Sequence, residues 1–239
     1  MNASETVLVT VCARGGSKGV PNKNVRPVSG DPLIAHTLRQ AKKWERTTDL
    51  VVSTDDEEIA SVARECGAVV PFTRPAELAS DEAAKLPVIQ HAVNEMEDET
   101  GTKYDYVVDL DATAPIRLVE DIENCFKKVA ETDATNAYTV TEADKNPYFN
   151  MVELDDRGFA HLSKELPNEV VRRQDAPSVY EMNASVYAYD REFLRNASSN
   201  HSDRTTISTM PPERSIDIDR DIDLALVTFL MEDWGVKYD

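Results

Sequence analysis

Three of the chain's eight glycines, Gly15, Gly16 and Gly19, cluster directly after a β-branched run, Val7 to Ala13. Glycines at the carboxyl end of a first strand let backbone N–H groups approach a phosphate closely, and ligands of open α/β sheets sit at that end. The loop from Ala13 to Asn24 also carries Arg14, Lys18 and Lys23, so it is basic within a chain of 44 acidic and 26 basic residues and formal net charge −18. Cations around a glycine-rich turn are the chemistry of a triphosphate site. Neither G-x-x-x-x-G-K-[ST] nor G-x-G-x-x-G occurs. Gly15-Gly16-Ser17-Lys18-Gly19 does match the G-x-S-x-G nucleophile elbow, but that elbow turns straight into a helix, and Pro21 disrupts one there.

A second constellation is Ser215-Ile216-Asp217-Ile218-Asp219, followed by Asp221 and Asp223. In a strand, Asp217 and Asp219 share one face while Ile216 and Ile218 face the core. Neighbouring carboxylates repel unless a divalent cation sits beside them, and hard oxygen ligands that leave positions for water and phosphate suit magnesium. Asp221 and Asp223 read as an acidic helix start. A third cluster runs from Val107 to Arg117, where the pleat puts Asp109 and Asp111 on one face. Asp111 is nearer the carboxyl end and is the better ligand candidate, whereas Asp109 reads as a hydrogen-bonded strand residue.

The elements that must position these groups alternate. Strand-like runs at Val7 to Ala13, Leu50 to Thr54, Ala68 to Phe72 and Tyr104 to Leu110 are each followed by a helical pattern, at Pro32 to Trp44, Glu57 to Cys66, Ala83 to Glu97 and Val119 to Ala130. Such alternation predicts an α/β protein with a mainly parallel sheet and flanking helices. After Ala134 to Val140 the regularity breaks into a proline-punctuated excursion, 144–180, of the length that carries function or assembly contacts. Strands at Ala184 to Tyr189, Thr205 to Thr209 and Ile216 to Ile218 and a helix from Asp221 to Glu232 return to the main body, so residues 1–239 read as one domain.

The acidic balance disfavours nucleic-acid binding, and no apolar run is long enough for a membrane span. Dense carboxylates also fit a salt-rich cytosol. Cys12, Cys66 and Cys125 have neither zinc nor disulfide-framework spacing. With no basic, apolar leader at the N-terminus, the expected location is cytoplasmic.

The Ala13 to Asn24 loop, Val52-Ser53-Thr54-Asp55-Asp56, Arg74-Pro75-Ala76-Glu77-Leu78-Ala79-Ser80-Asp81 and Ser215 to Asp219 resemble, in order, the blocks of the acylneuraminate cytidylyltransferases, or CMP-sialic acid synthetases. The resemblance spans nearly the whole chain. It implies a Rossmann-like nucleotide-diphospho-sugar transferase fold and magnesium-dependent transfer of CMP from CTP to the C2 hydroxyl of a nonulosonic acid. By position it implies Arg14, Lys18 and Lys23 as the triphosphate clamp, Asn24 and Arg74 as cytidine contacts, and Ser80 as a further substrate contact. Asp217 and Asp219 match the magnesium aspartates, with Asp219 also a candidate proton acceptor. Arg173, Asn183 and Tyr187 match the sugar pocket, and the 144–180 excursion matches a segment through which a homodimer closes it.

Two positions depart from the family pattern. Asp111-Ala112-Thr113-Ala114-Pro115 stands where sialic acid enzymes usually read Gln-Pro-Thr-Ser-Pro, and Lys85 replaces a small hydroxyl residue. Related Kdo-type enzymes carry a metal-binding aspartate near that point, which makes Asp111 a third candidate ligand. The sugar therefore stays open among N-acetylneuraminate, legionaminate, pseudaminate and related acids. A nucleotidyltransferase for another sugar acid or sugar phosphate, and a non-catalytic nucleotide-binding module, are the alternatives.

Overall fold

The computed structural model describes residues 5–168 and 172–234. In chain order, β1 (Val7–Cys12) leads through the glycine loop and a two-stranded hairpin, β2 (Pro27–Val28) and β3 (Asp31–Pro32), to α1 (Leu33–Lys43). Then follow β4 (Asp49–Ser53), α2 (Glu57–Glu65), α3 (Lys85–Thr100), β5 (Tyr106–Leu110), α4 (Val119–Ala130) and β6 (Asn136–Glu142). The hairpin β7 (Val152–Leu154) and β8 (Ala160–Leu162) lies in the excursion, and β9 (Tyr180–Asp190), α5 (Arg191–Asn196), β10 (Thr205–Thr209) and α6 (Asp221–Glu232) complete the chain.

Six strands form the central sheet in the order β10-β6-β9-β5-β1-β4. All are parallel except β9, which runs antiparallel to both neighbours. The strands β1, β4 and β5 are largely apolar on both faces, as strands covered on both sides are. Helices α1, α2 and α4 bury Ile34, Leu38, Ile59, Ile122 and Phe126 on one side. On the other, α3 and α5 bury Leu86, Ile89, Met96 and Leu194. The helix starts are local chemistry. Asp56 Oδ1 accepts from the Glu58 and Ile59 amides at 2.9 and 3.0 Å, and Gly101, at φ 69°, ends α3 in the left-handed conformation. Among the described residues no helix is long and apolar enough to cross a membrane.

Several expectations need correcting. Ile216 to Ile218 is no strand; its backbone joins its neighbour through one bond, Ile218 N–H to the Thr113 carbonyl at 3.0 Å. Alternation of apolar and polar residues arose there because only Ile218 is fully buried. Ala68 to Phe72 reduces to a single bridge between Val69 and Val51 at the sheet edge. The excursion carries the β7–β8 hairpin, with Val152, Leu154 and Phe159 exposed; its residues 169–171 lie outside the described residues.

Candidate active site

The loop after β1 meets three acidic segments. Gly15 N–H donates to Asp55 Oδ1 at 3.1 Å, and a Cβ on Gly15 would lie 2.5 Å from Asp56 Oδ2. A Cβ on Gly19 would collide with the backbone carbonyl of Asp219, so these two glycines permit close packing of the loop. Of the three loop glycines only Gly16 faces open space. Lys23 Nζ donates to the Ile218 carbonyl and lies 3.2 Å from Asp219 Oδ1. Arg14 pairs with Asp81 at 2.6 Å, and Lys18 pairs with the same carboxylate.

Beneath this cluster, Thr113 Oγ1 bridges two acids, contacting Asp111 Oδ1 at 2.8 Å and Asp217 Oδ1. Burial, reinforced by the Asp111 charge, pushes the Asp217 carboxyl up to about 6. Burial alone would also raise Asp111, but the Lys85 ammonium and the Thr113 hydrogen bonds hold it well below the usual carboxylate range. Lys85 Nζ sits 2.8 Å from Asp111 Oδ2, 3.0 Å from Asp109 Oδ2 and 4.7 Å from the centre of the Tyr187 ring. Asp219, by contrast, is exposed. Among the described residues no three His, Cys, Asp or Glu side chains are grouped to hold a metal by themselves.

The residues expected to touch substrate are placed differently from one another. Asn24 is buried, its Nδ2 donating to the Arg14 carbonyl at 3.0 Å while its Oδ1 has no partner. Arg74 is buried with Nε donating to Ser53 Oγ at 3.0 Å, so it braces the end of β4. Ser80 is exposed and donates to the Glu77 carbonyl at 3.3 Å. Asn183 spends its amide inside the protein, accepting from Thr139 Oγ1 at 2.7 Å and donating to Ser215 Oγ at 2.9 Å; it positions the late segment from behind. Tyr187 is buried, stacked on Tyr189 at 6.3 Å and under Lys85.

Arg173 stands apart from the loop cluster, donating to the Ala143 carbonyl at 2.7 Å beyond the end of β6. It lines a cleft of about 330 Å³ with Glu142, Asn146 and Pro177. Since β6 is three places from β1 in the sheet, the lateral separation is about 14 Å at the usual strand spacing.

Two further charged positions beside these acids were not assigned a role from the sequence. Lys85 is one; the other is Arg117, which is fully buried and forks to the Ser185 carbonyl at 2.7 Å, Thr37 Oγ1 at 2.6 Å and the Asp111 carbonyl at 2.5 Å. Burial lowers its pKa to about 10, with Asp111 and Asp109 opposing, so it stays charged beneath the acids. An arginine inside a motif beside a carboxylate was the only available signal.

The profile of the cytidylyltransferase family matches residues 8–226. The chain belongs to that family. This cytidylyltransferase is 40% identical over 225 residues, 94% of each chain, to the CMP-N,N'-diacetyllegionaminic acid synthase of Campylobacter jejuni. It is 39% identical over 231 residues, 97% of each chain, to the post-translational flagellin modification protein B of Campylobacter coli. In fold it is similar to a CMP:2-keto-3-deoxy-manno-octonic acid synthetase solved with CTP, at TM-score 0.69 and 18% identity, covering 95% of this chain and 98% of the other. The cytidylyltransferase is thus an enzyme of the nucleotidyltransferase type on an α/β nucleotidyltransferase fold.

Proposed function

We propose that the enzyme transfers CMP from CTP to the C2 hydroxyl of a nonulosonic acid, releasing pyrophosphate, with a diacetyllegionaminic-type acid as the first substrate to test. The observation that carries the reading is the meeting of Lys23 with Asp219 and of Gly19 with the Asp219 backbone, which joins the basic loop to the late aspartates. The identity of 40% to a CMP-legionaminic acid synthase supports the choice of sugar.

In this reading the hydroxyl attacks the α-phosphorus in line with the departing pyrophosphate, so the O–P bond to the sugar forms as the bond to the β-phosphate oxygen breaks. Arg14, Lys18 and Lys23 hold the phosphates, and alignment supplies much of the rate. Asp219, exposed beside Lys23, accepts the hydroxyl proton. Asp217 and Asp219 would hold a magnesium ion that screens charge on the reacting phosphates. Their chemistry fits: two carboxylates on one segment, one exposed and one without a full counter-charge, leave positions for water and phosphate oxygens. Asn24, with a buried unpaired Oδ1, suits a contact to the cytidine, while Arg173 supplies the cation for the sugar carboxylate.

The exposed Val152, Leu154, Phe159 and Leu162 of the β7–β8 hairpin support a homodimer built on the 144–180 excursion, which would close the Arg173 end of the site. A CTP requirement fits a cytoplasmic location. A pyrophosphate-release screen tests the reading: CTP with a panel of nonulosonic acids, against UTP, GTP and ATP. Release with CTP and one nonulosonic acid is expected; no release with any of them, or turnover of another nucleotide with a sugar phosphate, overturns it.

A further inference from the structure

Between Asp109 and Asp111 the chain supplies its own cation. Lys85 is the first residue of α3, a helix end where the peptide dipole disfavours positive charge, so its presence there answers a tertiary demand. That demand is visible in Asp109, which is fully buried: Oδ1 accepts from Thr10 Oγ1 at 2.7 Å, but Oδ2 makes no hydrogen bond and lies 3.0 Å from the Lys85 ammonium. A buried carboxylate oxygen without a hydrogen bond is tolerated only beside a positive charge. Asp111 is spent as well, Oδ2 on Lys85 at 2.8 Å and Oδ1 on the Thr113 amide at 3.1 Å and hydroxyl at 2.8 Å. The face of Tyr187 completes the enclosure of the ammonium at 4.7 Å.

From this arrangement we infer that Lys85 permanently occupies a second cation position of the active site, so that Asp111 is not a metal ligand in this chain. The two departures from the sialic acid pattern are one device: the acid that replaces an amide and the lysine that replaces a hydroxyl residue neutralise each other at 2.8 Å. A tethered ammonium cannot dissociate, so this half of the site stays charged whatever the free divalent concentration. The statement that a single divalent ion then remains to be bound, on Asp217 and Asp219, rests on the function proposed above; the statement about Lys85 does not.

Counting bound Mn²⁺ by the electron paramagnetic resonance of the free ion, without nucleotide, tests it. One ion is expected per wild-type chain, one in Asp111→Asn, and two in Lys85→Gln, because the vacated pair of carboxylates becomes a divalent site. The double variant Lys85→Gln with Asp111→Asn should return to one. If Lys85→Gln is too unstable to count, Mn²⁺ should restore its melting temperature towards that of the wild type. Failure of Lys85→Gln to gain an ion or to be stabilised by one overturns the inference, as does loss of the ion in Asp111→Asn. A wild type that binds no ion beside a Lys85→Gln variant that binds one leaves the role of Lys85 standing and removes the ion from Asp217 and Asp219.

Discussion

Lys23 Nζ lies 3.2 Å from Asp219 Oδ1 across 196 positions of sequence, and the same lysine donates to the carbonyl of Ile218. The contact fastens the glycine loop to the acidic segment; in the proposed function a triphosphate held by one therefore meets the carboxylates of the other. Lys23→Met, Asp217→Asn and Asp219→Asn should each lower kcat/KM by about 10²-fold or more, the usual effect of deleting one preorganised charge or donor. Steady-state pyrophosphate release paired with circular dichroism measures this; near-normal rates in folded variants would remove the residue concerned from the site.

Asp81 pairs with Arg14 at 2.6 Å and with Lys18, and these contacts hold its carboxyl below the usual range. In the proposed function an incoming triphosphate competes with that carboxylate for both cations. Asp81→Asn should therefore lower the KM for CTP several-fold at low ionic strength with kcat little changed. The difference should shrink towards molar KCl as screening weakens the competition. KM against salt for the two proteins is the measurement, and an unchanged or raised KM at low salt contradicts the competition.

Arg117 is buried near Asp111, Asp109, Asp121 and Asp217, whose charges offset part of its burial, and its own hydrogen bonds go to neutral acceptors. Arg117→Met leaves the Ser185 and Asp111 carbonyls and the Thr37 hydroxyl without their donor, at a cost of about 1 to 3 kcal/mol for each buried group left unsatisfied. Arg117→Lys should recover little, since an ammonium cannot reach Ser185, Thr37 and the Asp111 carbonyl together. Urea denaturation curves decide it; a Lys variant as stable as wild type would mean that charge alone, without the fork, suffices.

The glycine loop and the late aspartates were legible because both are local: spacing, charge and position after a strand are visible in a few residues. Lys85 was not, since its partners Asp109 and Asp111 are 24 and 26 positions away and a lysine opening an amphipathic helix reads as solvated. The strand at Ala184 to Tyr189 was visible, but its antiparallel direction depends on the excursion that precedes it. Asn183 shows the converse, a motif residue whose amide is consumed by Thr139 and Ser215, which no linear pattern displays. The six residues of α5 are too few for periodicity, and only the Asp190 cap marks them.

On the α3 and α5 side of the sheet, Arg191 forks onto Glu97 with both bonds at 2.6 Å, joining α5 to the helix that carries Lys85. The Arg191 hydrogen bonds outweigh burial and hold Glu97 below its ordinary value of 4.5. A carboxyl depressed by folding contributes stability above its unfolded pKa and loses it as pH falls through the folded one. Arg191→Met should thus cost about 1.5 to 3 kcal/mol at pH 7, the range for hydrogen bonds to charged groups. The gap to wild type should close as pH falls from 4.5 through the lowered folded value, because protonated Glu97 no longer distinguishes the two proteins. Melting temperatures of both proteins across that range check the sign; a gap that stays constant with pH would assign the contribution of Arg191 to packing of its aliphatic stem instead.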